Sequence, residues 1–219
     1  NRNDLVELGF ANTAHVPILI DWSMYDAEPD QPTLAALSAP RTRLLFVGRI
    51  SPNKRQDELI RMIAYYRACI DRDAQLVLVG GYRDQPQYHA RLLALRDALD
   101  LGTAVTFTGP ESLAALLAYY RAASVFLSLS EHEGFGVPLL EAMRLRLPVV
   151  AYDAAAVAET VGGGGIILRT RDLAEAAETC ALVVERLDLR GRLIDAGRAR
   201  VRDFDAGTVA ERTREVLGL

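Results

Sequence analysis

From Arg41 onward the sequence alternates short apolar runs, several ending in glycine, with longer amphipathic stretches, and this alternation constrains the fold more than any other feature. Leu44 to Gly48 is followed by Gln56 to Ile70, Gln75 to Gly80 by Gln87 to Leu99, and Val105 to Gly109 by Glu111 to Arg121. Val125 to Leu129, Pro148 to Tyr152 and Gly165 to Leu168 continue the series, with a helix expected over Val137 to Arg146. Apolar runs without polar alternation read as strands buried on both faces. The intervening helices are long enough for the crossovers that parallel strands require. The pattern therefore predicts an α/β, Rossmann-like, doubly wound parallel sheet of about six strands with helices on both faces. After Arg171 it turns purely helical, over Asp172 to Glu185, Leu189 to Val201 and Ala206 to Val216.

The chemistry-bearing residues cluster after the carboxyl ends of these strands, the edge at which open α/β sheets bind ligands. They include Gly48, Arg49 and Lys54; Gly80, Gly81 and Tyr82; Gly109, Pro110 and Glu111; Ser130 to Gly136; and Asp153. Gly162 to Gly165 reads instead as a turn before the last strand. The densest stretch is Ser130-Glu-His-Glu133-Gly134-Phe135-Gly136-Val137-Pro138-Leu-Leu-Glu141. Its glycines lie at a strand-to-helix junction, with Pro138 in the first helical turn, where a missing N–H costs nothing. A helix start offers unpaired N–H groups and the positive end of the macrodipole to a phosphate, and the glycines let it approach. Glu133 and Glu141 would repel phosphate but accept strongly from hydroxyls. Phosphates flanked by polyols describe a nucleotide sugar.

Glu133-Gly-Phe-Gly-x-Pro-x-x-Glu141, with Phe46-Val-Gly48-Arg49-Ile-Ser-Pro-x-Lys54 upstream, resembles the signature of the retaining GT-B glycosyltransferases of the GT4-like family, the glycosyl transferases group 1. The resemblance covers roughly residues 40 to 219. It implies the C-terminal, donor-binding half of a GT-B hexosyltransferase that is inactive without its N-terminal half. It further implies that Arg49 and Lys54 hold the diphosphate, that Glu133 meets the donor sugar and that Glu141 meets the ribose. Gly48, Tyr82, Gly109, Gly134, Phe135, Gly136 and Val137 complete the expected donor contacts, with Arg49, Lys54 and Glu133 as the catalytic set.

Composition sharpens some of this. Lys54 is the sole lysine among 25 basic residues. A chain that otherwise uses arginine places its one compact ammonium in this loop, and lysine serves phosphate as a point charge. A net charge of −4 gives no basic footprint for nucleic acid. No apolar run reaches the length of a membrane span. Cys69 and Cys180 are isolated in helical patterns and read as small buried or half-buried hydrophobes, pointing to a reducing, cytoplasmic setting, with membrane association only through the missing half. His15, His89 and His132 lack metal-ligand spacing, so neither a tightly held metal nor a cofactor is expected. Residues 1 to 40, with the breaker-rich Glu28 to Pro32, read as a crossing from an absent N-terminal domain, since forty residues are too few for a second Rossmann-like unit. The expected partners are a nucleotide-sugar donor, an acceptor saccharide, lipid-linked glycan or small molecule, and that absent domain.

Three rival functions remain at this stage. A dinucleotide-dependent oxidoreductase would need Gly-x-Gly-x-x-Gly after the first strand, where Gly-Arg-Ile-Ser-Pro-x-Lys stands instead. A non-catalytic nucleotide-binding or interaction module, and a nucleotide-sugar epimerase or hydrolase on the same fold, stay open.

Overall fold

The computed structural model describes residues 2–14 and 16–218; His15 lies outside them. Six strands form one parallel sheet: β1 (Arg43–Val47), β2 (Gln75–Val79), β3 (Val105–Gly109), β4 (Val125–Ser128), β5 (Val149–Tyr152) and β6 (Ile166–Leu168), in the order β3-β2-β1-β4-β5-β6. Helices α1 (Arg2–Glu7) and α2 (Gln31–Ala36) precede the sheet. The crossovers carry α3 (Gln56–Cys69), α4 (Pro86–Ala98), α5 (Leu113–Ala122), α6 (Val137–Arg144) and α7 (Val157–Val161). Three helices close the chain, α8 (Leu173–Glu185), α9 (Leu187–Val201) and α10 (Ala206–Leu217). The doubly wound sheet expected from the strand–helix alternation is thus present.

Successive strand residues serve opposite cores, as the two-residue period of a strand demands. Leu44, Phe46, Leu76, Leu78, Val125 and Leu127 join the core that includes Leu59 and Ile63 of α3 and Cys180 of α8. Leu45, Val77, Val79 and Phe126 join the other, with Tyr120 of α5 and Leu139, Leu140 and Met143 of α6. Having no polar face, these strands can only be central strands of a sheet covered on both sides.

Several local readings need correction. Glu28 to Pro32 is not merely a connector. Asp30 caps α2 by accepting from the Thr33 N–H at 2.9 Å, and Pro32 sits in the first turn, where proline is tolerated. The Asp30 N–H in turn donates to the Ala114 carbonyl, so α2 is fastened to α5. The helix expected to run to Arg146 stops at Arg144, because Arg146 adopts φ 63° and the Leu147 N–H closes back on the Ala142 carbonyl at 2.8 Å. Pro148, next in the chain, disfavours a helical Leu147. The five-residue α7 was too short for periodicity to reveal. Cys69 is exposed at the end of α3, whereas Cys180 is fully buried and its thiol is pushed up to about 12 by that burial. The glycine run before β6 forms the expected turn and also serves packing: a Cβ on Gly165 would lie 2.8 Å from the Val149 carbonyl oxygen, and one on Gly164 3.1 Å from the Gly197 Cα.

Candidate functional site

The strand order reverses between β1 and its neighbours β2 and β4, so the crevice outside the carboxyl ends of β1 and β4 is the topological switch point. Two loops meet there. The first leaves β1 through Gly48 and Arg49 into a 3₁₀ turn, Pro52–Lys54, that leads into α3. The second leaves β4 through Ser130 to Gly136 into α6. Main chain joins them directly, the Glu131 N–H donating to the Asn53 carbonyl at 2.8 Å.

Across this seam the Lys54 ammonium pairs with the Glu133 carboxylate at 2.7 Å and donates to the His132 carbonyl at 3.3 Å. Both side chains are mostly buried, with 17% and 15% of their surface exposed. The lone lysine and the first glutamate of the motif thus share one spot at the switch point. The Arg49 guanidinium is exposed and, among the described residues, makes no hydrogen bond or ion pair; its carbonyl is held by the Gln56 side-chain amide at 3.1 Å.

Glycines shape the edge. Gly80 follows β2 with φ 147°, and a Cβ there would fall 2.0 Å from the Gly48 carbonyl oxygen, so the ends of β1 and β2 approach as closely as they do only because no side chain intervenes. Gly136 takes φ 80° as the residue before α6, a left-handed conformation that L side chains resist. Gly134 faces open space. Pro138 has no N–H and the Leu139 N–H donates to the Gly136 carbonyl at 2.9 Å, so at this helix start the Val137 N–H is the one left unpaired in the first turn among the described residues. That N–H and the positive end of the helix dipole lie at the end of the loop that carries Glu133.

An ion network brackets the second loop. Glu131 accepts from Arg55 at 2.7 Å and from Arg171 at 2.9 Å, and the Arg171 guanidinium lies 4.4 Å from the Tyr152 ring centroid. Arg55 also pairs with Glu58, and holds a left-handed φ of 52° at the start of α3. Hydrogen bonding from Arg171 leads the effects that hold the Glu131 carboxyl below its usual range, with Arg55 adding to it. The Glu58 carboxyl is raised instead, by desolvation first, against the opposing charges of Arg55 and Arg171.

The second motif glutamate occupies a different setting. Glu141, on α6 and 8% exposed, accepts from the Tyr25 hydroxyl at 2.5 Å through one carboxylate oxygen and from the Tyr120 hydroxyl at 2.6 Å through the other. Burial, and then Glu141 itself, push both phenols up, so both remain protonated donors. Neither tyrosine was found by sequence reasoning. Tyr25 sits in the segment read as a crossing, and Tyr120 looks like an ordinary helix aromatic.

The remaining expected donor contacts divide. Gly48 and Gly109 lie at the ends of β1 and β3 as placed. The Phe135 ring packs edge-on against Phe204 at 5.6 Å, in the core of the α6 face, leaving its main chain at the loop. Tyr82 stacks on His89 at 3.9 Å and lines a cavity of about 520 Å³ with His89, Arg96 and Phe107 beside β3, away from the Lys54–Glu133 pair.

The strand order, the switch-point loops and the glycine-led α6 define a Rossmann-like domain of the kind found in GT-B glycosyltransferases. The fold superimposes on that of Anabaena Alr3699/HepE, solved in complex with UDP and glucose, with a TM-score of 0.84 at 22% identity over 99% of this chain and 60% of that one. The C-terminal domain of a glycosyl transferase group 1 family protein, LpcC from Francisella tularensis, matches with a TM-score of 0.70 at 21% identity over 85% of this chain and 99% of that one. Residues 35–200 match the model of the family glycosyl transferases group 1, and the chain belongs to that family. A D-inositol 3-phosphate glycosyltransferase of Kineococcus radiotolerans is 31% identical, the match covering 98% of this chain and 54% of the relative. The chain spans about half the length of the curated relatives it matches. Among the described residues no helix is long and apolar enough to cross a membrane.

Proposed function

We propose that this chain is the donor-binding half of a GT-B glycosyltransferase that moves a hexosyl group from a nucleoside diphosphate to an acceptor, with retention of anomeric configuration. The observation that carries the reading is the Lys54–Glu133 pair at the switch point, beside the start of α6, in a chain of this family. Transfer breaks the bond between the anomeric carbon and the diphosphate oxygen, and negative charge grows on the leaving group. Arg49, Lys54 and the N–H groups around Gly134 to Val137 are placed to meet that charge, an electrostatic task that asks for no nucleophile and no tightly held metal from this half. Glu133 orients sugar hydroxyls and Glu141 takes the ribose hydroxyls. The acceptor, a saccharide, lipid-linked glycan or small molecule, enters against the other half of the enzyme.

A thermal-shift panel with UDP, GDP, ADP and their sugar conjugates tests this. A ligand at 100 times its dissociation constant stabilises by about 2.7 kcal/mol. One nucleotide series should raise the melting temperature clearly; no response to any of them would defeat the reading.

A further inference from the structure

The Glu141 carboxylate is nearly enclosed, yet among the described residues no cation pairs with it; its partners are two neutral phenols. A carboxylate presents about four acceptor positions, so two hydroxyl donors leave about half of them open. A buried anion satisfied only in part is costly unless further donors arrive. Glu141 lies one turn into the helix whose start faces the switch point, and the residue keeps 8% of its surface exposed.

The phenols are themselves held. Tyr120 is fully buried on α5 and stacks on Phe126 of β4. Tyr25 belongs to a 3₁₀ turn, Trp22–Asp26, fastened at both ends. Trp22 donates from its indole nitrogen to the Phe204 carbonyl at 3.3 Å, and Asp26 pairs with Arg144 at 2.6 Å. Arg144 lies on the same helix as Glu141, three positions on, so this turn is registered against α6.

We propose that Tyr25 and Tyr120 are positioning residues for ribose recognition: they aim the Glu141 carboxylate so that its open acceptor positions receive the ribose hydroxyls, and Tyr25 thereby links the segment ahead of the sheet to nucleotide occupancy. The proposal rests on the assignment of Glu141 to ribose above. It gives the buried anion its missing donors and explains why a phenol from so far upstream is brought to it. Trp22, the only tryptophan of the chain, lies 5.7 Å from the Tyr25 ring and so reports on the link.

The test uses the 219-residue chain, titrated with UDP, GDP and ADP and with their 2′,3′-dideoxy analogues, by calorimetry and by Trp22 emission. For the nucleotide that binds, the ribose form should bind about tenfold or more tighter than the dideoxy form, as hydrogen bonds to a charged group imply. Glu141→Gln should erase most of that ratio. Tyr25→Phe and Tyr120→Phe should each lower it severalfold while leaving the dideoxy affinity unchanged, a selectivity loss that a purely structural role does not produce. Trp22 emission should respond to the ribose form and not to the dideoxy form. If Tyr120→Phe does not fold, Tyr25→Phe and the emission of the parent protein decide.

A ratio that falls in Glu141→Gln but is untouched in the tyrosine variants, with silent Trp22 emission, overturns this proposal and leaves the function standing. A parent that binds both forms equally, or binds no nucleotide, removes the ribose assignment and this proposal together.

Discussion

Lys54 and Glu133 meet at 2.7 Å across the seam between the loops that leave β1 and β4. The pair gives the Glu133 carboxylate a counter-charge at the switch point, where the proposed function seats a phosphate. On the proposed donor site, the ammonium that pairs with Glu133 also meets the incoming phosphate, and Glu133 then turns to the sugar hydroxyls.

Lys54→Ala should therefore weaken nucleoside diphosphate binding by roughly tenfold to over a hundredfold, the range for a charge-assisted contact of about 1.5 to 3 kcal/mol. Calorimetric titration of the parent and the variant measures it. An unchanged dissociation constant would take Lys54 out of the site.

Glu133→Ala and Glu141→Ala should differ in both ligand profile and stability. The first should mainly remove any preference for the sugar conjugate over the bare diphosphate. The second should weaken both ligands and also strand the Tyr25 hydroxyl, at about 1 to 3 kcal/mol for a buried group left unpaired, while the Tyr120 hydroxyl keeps the Pro138 carbonyl at 3.3 Å. At about 2 to 4 °C per kcal/mol for a chain of this size, its melting temperature should drop by several degrees while that of Glu133→Ala stays near the parent value.

Gly80→Ala and Gly134→Ala separate fold from site. An alanine at 80 would press a methyl to 2.0 Å from the Gly48 carbonyl oxygen, a backbone atom that cannot step aside, and the variant should melt well below the parent or fail to fold. An alanine at 134 meets nothing within 4 Å, so it should melt like the parent, with any effect confined to phosphate affinity.

Acid should loosen the Glu131 bridge. The folded-state pKa of Glu131 is lowered from 4.5, so its contribution is present above that value and is lost as pH falls through the lower folded pKa. Urea denaturation of the parent and Glu131→Gln should differ more at pH 7 than at pH 3. A gap of the same size at both would show that the charge on Glu131 is not what stabilises the loop.

The chain alone should bind nucleotide yet transfer no sugar, because placing the acceptor can account for about 7 to 11 kcal/mol of barrier. Donor consumption followed by chromatography over hours, with and without an N-terminal half produced separately from a full-length relative, checks this. Efficient transfer by the chain alone would overturn the assignment of a half-enzyme.

Much of this was written in local pattern. Strands such as Leu44 to Val47 and Gln75 to Val79 have no polar face, and that alone implies a sheet covered on both sides, with Gly48, Gly80 and Gly109 at its carboxyl edge. The spacing of Gly134, Gly136 and Pro138 likewise marks a helix start by sequence alone, because backbone freedom and a missing N–H are properties of single residues. Partnership is not such a property. That Lys54 neutralises Glu133 depends on β4 lying beside β1, a matter of strand order. That Glu141 is clasped by Tyr25, 116 positions away, and by Tyr120, 21 away, depends on how the upstream turn, α5 and α6 pack together. Phe135 illustrates the limit from the other side: its place in the motif was legible, but only packing decided that the ring would enter the core against Phe204 while the main chain stayed at the loop. Sequence determines what each residue can do along its own element; the direction in which side chains meet across elements is decided by burial, which counts every neighbour at once.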